Sequence, residues 1–267
     1  IEFLSGKFNE NYFTTDKINH NFLKLGIAPN FKVLRDNLTV NLGARIYYSF
    51  DLENSVNKFF AYPNVTASYK ISEETLIAYA GVTGDLHLNS FREFAQDNPF
   101  VSPTLNVSQT DKQYNAYIGA KGQLNADVSY NFKASFINEK GKPLYIQNPS
   151  KTDGIITTIN GYELGNSFNV IYDNVKTLAV SGELNIDFSK DFKFGGTVEF
   201  NNYSTTTQDE AWNLPTIKAA LFADYHNNKW FAGSNLYFVG KRYDFVTALT
   251  GLGQKVELDS FIDLNLK

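Results

Sequence analysis

Apolar and polar residues alternate with a period of two along most of this chain, which is the pattern of β-strands with two unlike faces. From Leu38 the apolar set is Leu38, Val40, Leu42, Ala44, Ile46 and Tyr48, while Thr39, Asn41, Gly43, Arg45 and Tyr47 point the other way. Val128, Tyr130, Phe132, Ala134 and Phe136 oppose Ser129, Asn131, Lys133 and Ser135. The pattern recurs at Leu178, Val180, Gly182, Leu184, Ile186 and Phe188, and again at Phe192, Phe194, Gly196, Val198 and Phe200. Helical spacing fits none of these runs, and no helix is predicted anywhere. The runs predict about twelve strands, near 1–10, 21–35, 38–50, 61–71, 75–88, 111–123, 128–138, 166–188 (with a kink at Asp173-Asn174), 192–203, 214–225, 230–241 and 255–267.

The connections alternate in length. Tight ones fall at Asp36-Asn37, Ser72-Glu73-Glu74, Asn125-Ala126-Asp127, Ser189-Lys190-Asp191 and His226-Asn227-Asn228, all rich in turn-forming residues. Long ones fall near 49–60, 89–110, 139–165, 203–213 and 242–254. A meander whose hairpins are short at one end and long at the other is the layout of an antiparallel transmembrane β-barrel.

The chemistry of the two faces supports a membrane over a soluble sandwich. Exposed strand faces of a sandwich carry abundant Lys and Glu; here the polar face is mostly Asn, Ser, Thr, Gly and Tyr, as in a crowded polar lumen. Aromatic residues make up 15% of the chain, and they gather at run ends. Tyr69, Phe188, Phe192, Tyr225 and Trp230 lie by the short turns; Tyr48, Phe136, Phe200, Tyr203 and Phe238 lie toward the long connections. Two such belts match the interfacial girdles of a barrel. The mean hydropathy of −0.29 is no objection, because strands cross a bilayer with every second residue apolar. Both termini lie inside alternating runs, so residues 1–267 are expected to be a single barrel region, part of a longer wall, cut at both ends.

Several segments resemble the barrel region of outer-membrane TonB-dependent receptors of Gram-negative bacteria. They are Ala61-Tyr62-Pro63-Asn64-Val65, Ile77-Ala78-Tyr79-Ala80-Gly81, Asn98 to Leu105, Thr110 to Tyr114, Ser167 to Leu178, and Glu210-Ala211-Trp212-Asn213-Leu214-Pro215. The resemblance covers about 61–265 and rests on structural segments without chemical signatures. It implies a barrel of up to about 22 strands closed by a plug domain, energised through TonB and importing an iron chelate, a vitamin or a glycan. No plug-like segment or TonB box lies within this chain.

Little in the sequence suggests covalent chemistry. The chain has no Cys, which excludes a thiol nucleophile and thiolate metal sites. His20, His87 and His226 are far apart and are expected in solvated turns; His87 near Ser90 is the only adjacent Ser/His pair. No enzyme activity and no cofactor is expected. A net charge of −4 gives no nucleic-acid footprint.

The candidate binding residues are the charges on the polar face and the residues of the longer loops. Early strands present Lys24, Lys32, Arg45, Lys70, Lys121 and Lys133; later ones present Glu183, Asp187, Glu199, Asp224, Glu257, Asp259 and Asp263, diluted by Lys193, Lys218 and Lys241. A basic wall facing an acidic one would set up a field across the lumen that could seat a plug or orient a charged solute. In the loops, Phe91, Arg92, Phe94 and Phe100, and separately Tyr243, form candidate recognition surfaces. The expected partners are outer-membrane lipid, a plug domain and the TonB system. Two alternatives stay open: an accessory barrel subunit of an outer-membrane assembly or secretion complex, and a soluble secreted binding module.

Overall fold

A computed structural model describes residues 1–72, 75–151, 161–247 and 252–267. Parts of three predicted connections, at 73–74, 152–160 and 248–251, lie outside the described residues. The described strands, numbered in chain order, form one antiparallel meander in the order β1-β2-β4-β5-β6-β7-β8-β9-β10-β11-β12-β15, with β3 also paired to β4, and a separate two-stranded sheet of β13 and β14. They are β1 (Glu2–Phe8), β2 (Ile18–Ile27), β3 (Asn30–Arg35), β4 (Leu38–Asp51), β5 (Val56–Ser72), β6 (Leu76–Leu88), β7 (Gln109–Asn125), β8 (Val128–Gln147), β9 (Phe168–Asp187), β10 (Phe192–Ser204), β11 (Ile217–His226), β12 (Phe231–Val239), β13 (Arg242–Thr247), β14 (Gly253–Leu258) and β15 (Phe261–Leu266). The transmembrane-barrel fold class predicted from the alternation is thus observed as one large antiparallel sheet.

Register turns the alternation into a continuous apolar surface. Leu42 pairs with Val65, Val65 with Val82, Ala80 with Ile118, Ile118 with Ala134, and Ala134 with Val180. The row continues through Phe200 and Ile217, and a parallel row links Leu221, Leu236 and Leu264. Ile118, Phe132, Leu178, Val180, Leu221 and Leu264 are all exposed. A soluble protein rarely leaves so large an apolar surface uncovered, whereas a bilayer covers it. Among the described residues no helix is long and apolar enough to cross a membrane, a test that does not bear on strands.

The boundaries differ from the sequence expectation in informative ways. The predicted strand 21–35 is interrupted at Ala28-Pro29, where proline has no N–H to give the ladder; the Pro29 carbonyl accepts from the Ala44 amide at 3.1 Å, so β2 and β3 follow one another along β4. The predicted long connection at 49–60 is instead a tight turn, Leu52 to Ser55, between extended β4 and β5. Likewise β8 runs on to Gln147, well beyond the predicted end at 138, and pairs with β9 along its length. The predicted strand 255–267 divides: β15 pairs with β12, while β14 pairs with β13 in a separate hairpin that replaces most of the predicted loop 242–254. Tyr203, assigned to the outer girdle, pairs with buried Thr177 and donates to the Pro215 carbonyl at 3.3 Å. It therefore faces the polar side.

Among the described residues one α-helix, and a single 3-10 turn at Gly161–Glu163, form where no helix was predicted. Helix α1 (Phe91–Asp97) starts at a capping box, in which the Ser90 side chain accepts from the Glu93 amide and the Glu93 carboxylate accepts from the Ser90 amide. With only two turns it carries too little periodicity for a hydrophobic pattern to reveal it.

Candidate functional site

The connections at the long-loop end fold onto one another across several strands. Phe94 of α1 is buried with Leu105, Val107 and Val170, and Leu4, Phe91, Val101, Tyr145 and Tyr172 pack around them. This small core joins β1, α1, β8 and β9, so it holds the 89–108 connection against the sheet. The Tyr172 hydroxyl ties it down further, accepting from the Ser108 amide and donating to the Asn106 carbonyl, each at 2.9 Å. From the other side, the β1–β2 connection reaches the β8–β9 connection. Tyr12 donates to the Pro149 carbonyl at 2.6 Å and lies under Lys151, and burial pushes its hydroxyl up to about 12.

The 205–215 connection is anchored by one carboxylate. Asp173, in the part of β9 beyond the apolar belt and in register with Lys142, accepts from the backbone amides of Thr206, Thr207 and Gln208 and from the Thr207 hydroxyl. Burial alone would raise the Asp173 pKa, but these donors outweigh it and hold it below its usual value. The hairpin β13–β14 then leans over from β12. Asn213 donates to Asp244 and to the Tyr145 carbonyl, both at 2.9 Å, and the rings of Trp212 and Phe245 lie 5.6 Å apart. Asp244 is buried, which raises its pKa even though the Phe245 amide and Asn213 donate to it.

Among the predicted polar-face charges, Lys24, Arg45, Lys70, Lys121, Lys133, Glu183, Glu199 and Asp224 stand on strands of the large sheet, several of them already partnered, whereas Lys241 and Asp259 lie outside any strand. Lys24 pairs with Glu2 at 2.5 Å and donates to the Leu86 carbonyl at 2.7 Å; Arg45 pairs with Asp85 at 3.4 Å. Lys70 and Lys121 both stand opposite Ile77, and Lys133 stands between Gly119 and Ser181. On the later strands Glu183 accepts from Asn185 and Glu199 from Asn201, while Glu199 pairs in register with Lys218 and Asp224 with Lys193. The basic early wall is therefore less one-signed than its sequence suggests, because Glu2 and Asp85 neutralise part of it. Glu257 leaves the wall altogether: it sits in β14, bound to Lys241 at 2.5 Å.

The loop candidates divide by exposure. Phe94 is buried and Phe91 packs on Phe8 at 5.7 Å, so these two rings hold the connection together, whereas Arg92 and Phe100 are exposed. Tyr243 lies 3.9 Å beneath the Lys255 ammonium. The Ser/His pair does not form, since His87 turns to Glu93 at 3.3 Å and Ser90 donates to that same carboxylate. His20, expected in a solvated turn, is instead buried within β2, with its ring filling the space beside Gly6. No group of three potential metal ligands occurs among the described residues.

Sequence alternation missed a cleft at the long-loop end of the polar face, about 270 Å³ in volume, lined by Phe22, Ser49, Lys58, Phe60, Gln109, Asp111 and Lys140 among others. Register shifts in β6 at Thr83/Asp85 and in β8 at Glu139/Lys142 change the phase of both strands. Even-numbered Val82 and Phe136 face outward, yet even-numbered Leu86 and Lys140 line this cleft. The Lys-Gly-Lys break at 140–142, with Gly141 at a φ of +65°, was the available signal.

No family model matches the chain, and no curated sequence matches it. Solved structures do. The pyoverdine outer-membrane receptor FpvA from Pseudomonas aeruginosa PAO1 matches 95% of this chain over 36% of its own, with a TM-score of 0.64 at 15% identity. The copper transporter OprC matches 94% over 40% of its own, TM-score 0.58 at 11% identity. The ferric yersiniabactin uptake receptor FyuA from Yersinia pestis matches 94% over 38% of its own, TM-score 0.56 at 11% identity. The chain thus spans between about a third and two-fifths of the length of these structures. These matched structures are receptors and transporters, and none is an enzyme. At such low identity it is the fold that is shared: this chain has the barrel-wall fold of the outer-membrane TonB-dependent receptors.

Proposed function

We propose that this chain is part of the wall of an outer-membrane uptake barrel, with its apolar face in lipid and its polar face lining a solute path gated by a separate plug domain under TonB. The observation that carries this is the unbroken apolar surface running from Leu42 to Leu264, backed on every strand by polar residues. Residues 1–267 act as one region of a larger wall. Strands β1 and β15 each have a single sheet neighbour among the described residues, and open edges are not tolerated in hydrocarbon. Further strands of the same wall would satisfy them. The long connections face outside and the short turns face the periplasm. Lys70, Lys121, Lys133, Glu183, Glu199 and Asp224 contact the plug or the passing solute, and the exposed Arg92 and Phe100, with the half-buried Tyr243, contact the solute at the mouth. The solute belongs to the iron chelates, vitamins or glycans, and covalent chemistry is not part of the function.

The test is fractionation of cells producing the complete polypeptide, followed by uptake assays with and without a functional TonB system. Recovery in the outer membrane with TonB-dependent uptake supports the proposal. Outer-membrane recovery in a stoichiometric protein complex, without uptake, would favour the accessory-subunit reading. A stable protein purified without detergent would overturn both.

A further inference from the structure

The cleft at the long-loop end contains two cations, Lys58 and Lys140, that have no protein partner among the described residues. Asp51 accepts from the amide and the side chain of Asn54, at 3.0 and 2.8 Å, and Asp111 accepts from the Tyr62 hydroxyl at 2.8 Å. The side chains of Lys58 and Lys140, by contrast, make no hydrogen bond or ion pair among the described residues. Formal charges in the cleft cancel, so net charge does not decide what binds. What decides is which groups are free to take a ligand: the carboxylates already have protein donors, whereas Lys58 and Lys140 are exposed and can exchange water for the oxygens of an anion.

The rest of the lining suits an apolar body. Phe22 is buried beside Leu86, and Phe60 stacks on Tyr62 with centroids 6.1 Å apart and planes 9° from parallel. Ser49 and Gln109 are bonded to each other at 2.7 Å, leaving the polar floor largely satisfied. A volume of about 270 Å³ admits one ring with a substituent, and not a large chelate.

We propose that this cleft binds an oxyanion group, carboxylate or phosphate, borne on a planar apolar body, with Lys58 and Lys140 closing on the oxygens and Phe60 beneath the ring. This rests on the polar face being a solute path, and it adds the chemical class of what stops there. Lys140 is positioned by the register shift at Gly141, which couples the cleft to the geometry of β8.

The experiment uses the complete polypeptide in detergent micelles and three probes sharing one ring: benzoate, phenyl phosphate and benzyl alcohol, titrated by calorimetry or saturation-transfer NMR. At least one anionic probe is expected to bind at least about tenfold more tightly than benzyl alcohol, an advantage that declines with salt. A preference between benzoate and phenyl phosphate tells carboxylate from phosphate. Replacing both lysines (Lys58→Gln with Lys140→Gln) should abolish the advantage, Lys58→Arg with Lys140→Arg should retain it, and Lys190→Gln with Lys229→Gln, exposed on short turns at the other end of the sheet, should leave it unchanged. Equal binding of charged and neutral probes by the unaltered protein, or an unaffected Lys58→Gln/Lys140→Gln variant, would overturn the proposal. Either result leaves the uptake-barrel reading intact, because outer-membrane recovery and TonB-dependent uptake are measured separately.

Discussion

A lysine placed on the apolar face separates a lipid-facing wall from a water-facing one. Ile118 sits mid-belt on β7, between Ala80 and Ala134, and 65% of it is uncovered by protein. If that face met water, Ile118→Lys would change stability by no more than about 0.5 kcal/mol, as surface substitutions usually do. If the face meets hydrocarbon, a cation near the midplane costs about 2–4 kcal/mol. At roughly 1.4 kcal/mol per tenfold, that lowers the folded-to-unfolded ratio about 30- to 700-fold. Thr197, exposed on the polar face opposite Glu183, is the internal control, and Thr197→Lys should be nearly neutral. The assay is urea titration of the complete polypeptide in phospholipid vesicles, read by heat-modifiable gel mobility and by the fluorescence of Trp212 and Trp230. Equal midpoints for the two variants, or greater damage from Thr197→Lys, would refute the assignment of faces.

Three further outcomes follow from particular contacts. A Cβ at Gly84 would meet the Gln113 and Lys112 carbonyls at 2.6 and 2.9 Å, so Gly84→Ala should cost about 1–3 kcal/mol in the same titration and disturb the register shift beside it. Ser90→Ala removes the capping box of α1 and should cost about 1 kcal/mol locally, visible as faster amide exchange over 91–97 with the barrel transition unchanged. Asp173→Asn should loosen the 205–215 connection by about 1.5–3 kcal/mol and open it to limited proteolysis at neutral pH. Because the native pKa of Asp173 lies below its ordinary value of 3.8, its contribution is present above that value and is lost as pH falls through the lowered one. Variant and unaltered protein should therefore become equally cleavable in strong acid, and a difference that persists there would contradict the role given to the carboxylate.

Much of the sheet was legible because its signal is local. Residues two apart in a strand share a face whatever the partner strand does, so the sets around Leu38, Val128, Leu178 and Phe192 fixed the strands and the sidedness of the wall. The elements that escaped are short or phase-broken. Helix α1 is held by Phe94 packing into Val170 of β9, far away along the chain, and the β13–β14 hairpin is held by Asn213, Asp244 and Tyr145. The candidate site was legible only in part. Residues in regular phase, such as Lys133 and Glu199, stand in register with Ser181 as alternation expects, but whether a charge is free or spent depends on its neighbours across strands.

The sequence alone thus determined the antiparallel meander and the continuous apolar face, both consequences of periodicity, and its segments such as Ser167 to Leu178 carried the resemblance to outer-membrane receptor barrels. Only the tertiary structure decided that Lys24 and Arg45 are neutralised by Glu2 and Asp85 while Lys58 and Lys140 have no partner among the described residues. The physical reason is register: a bulge of one residue moves a side chain to the opposite face, and ion pairing follows distances between strands that no single strand encodes.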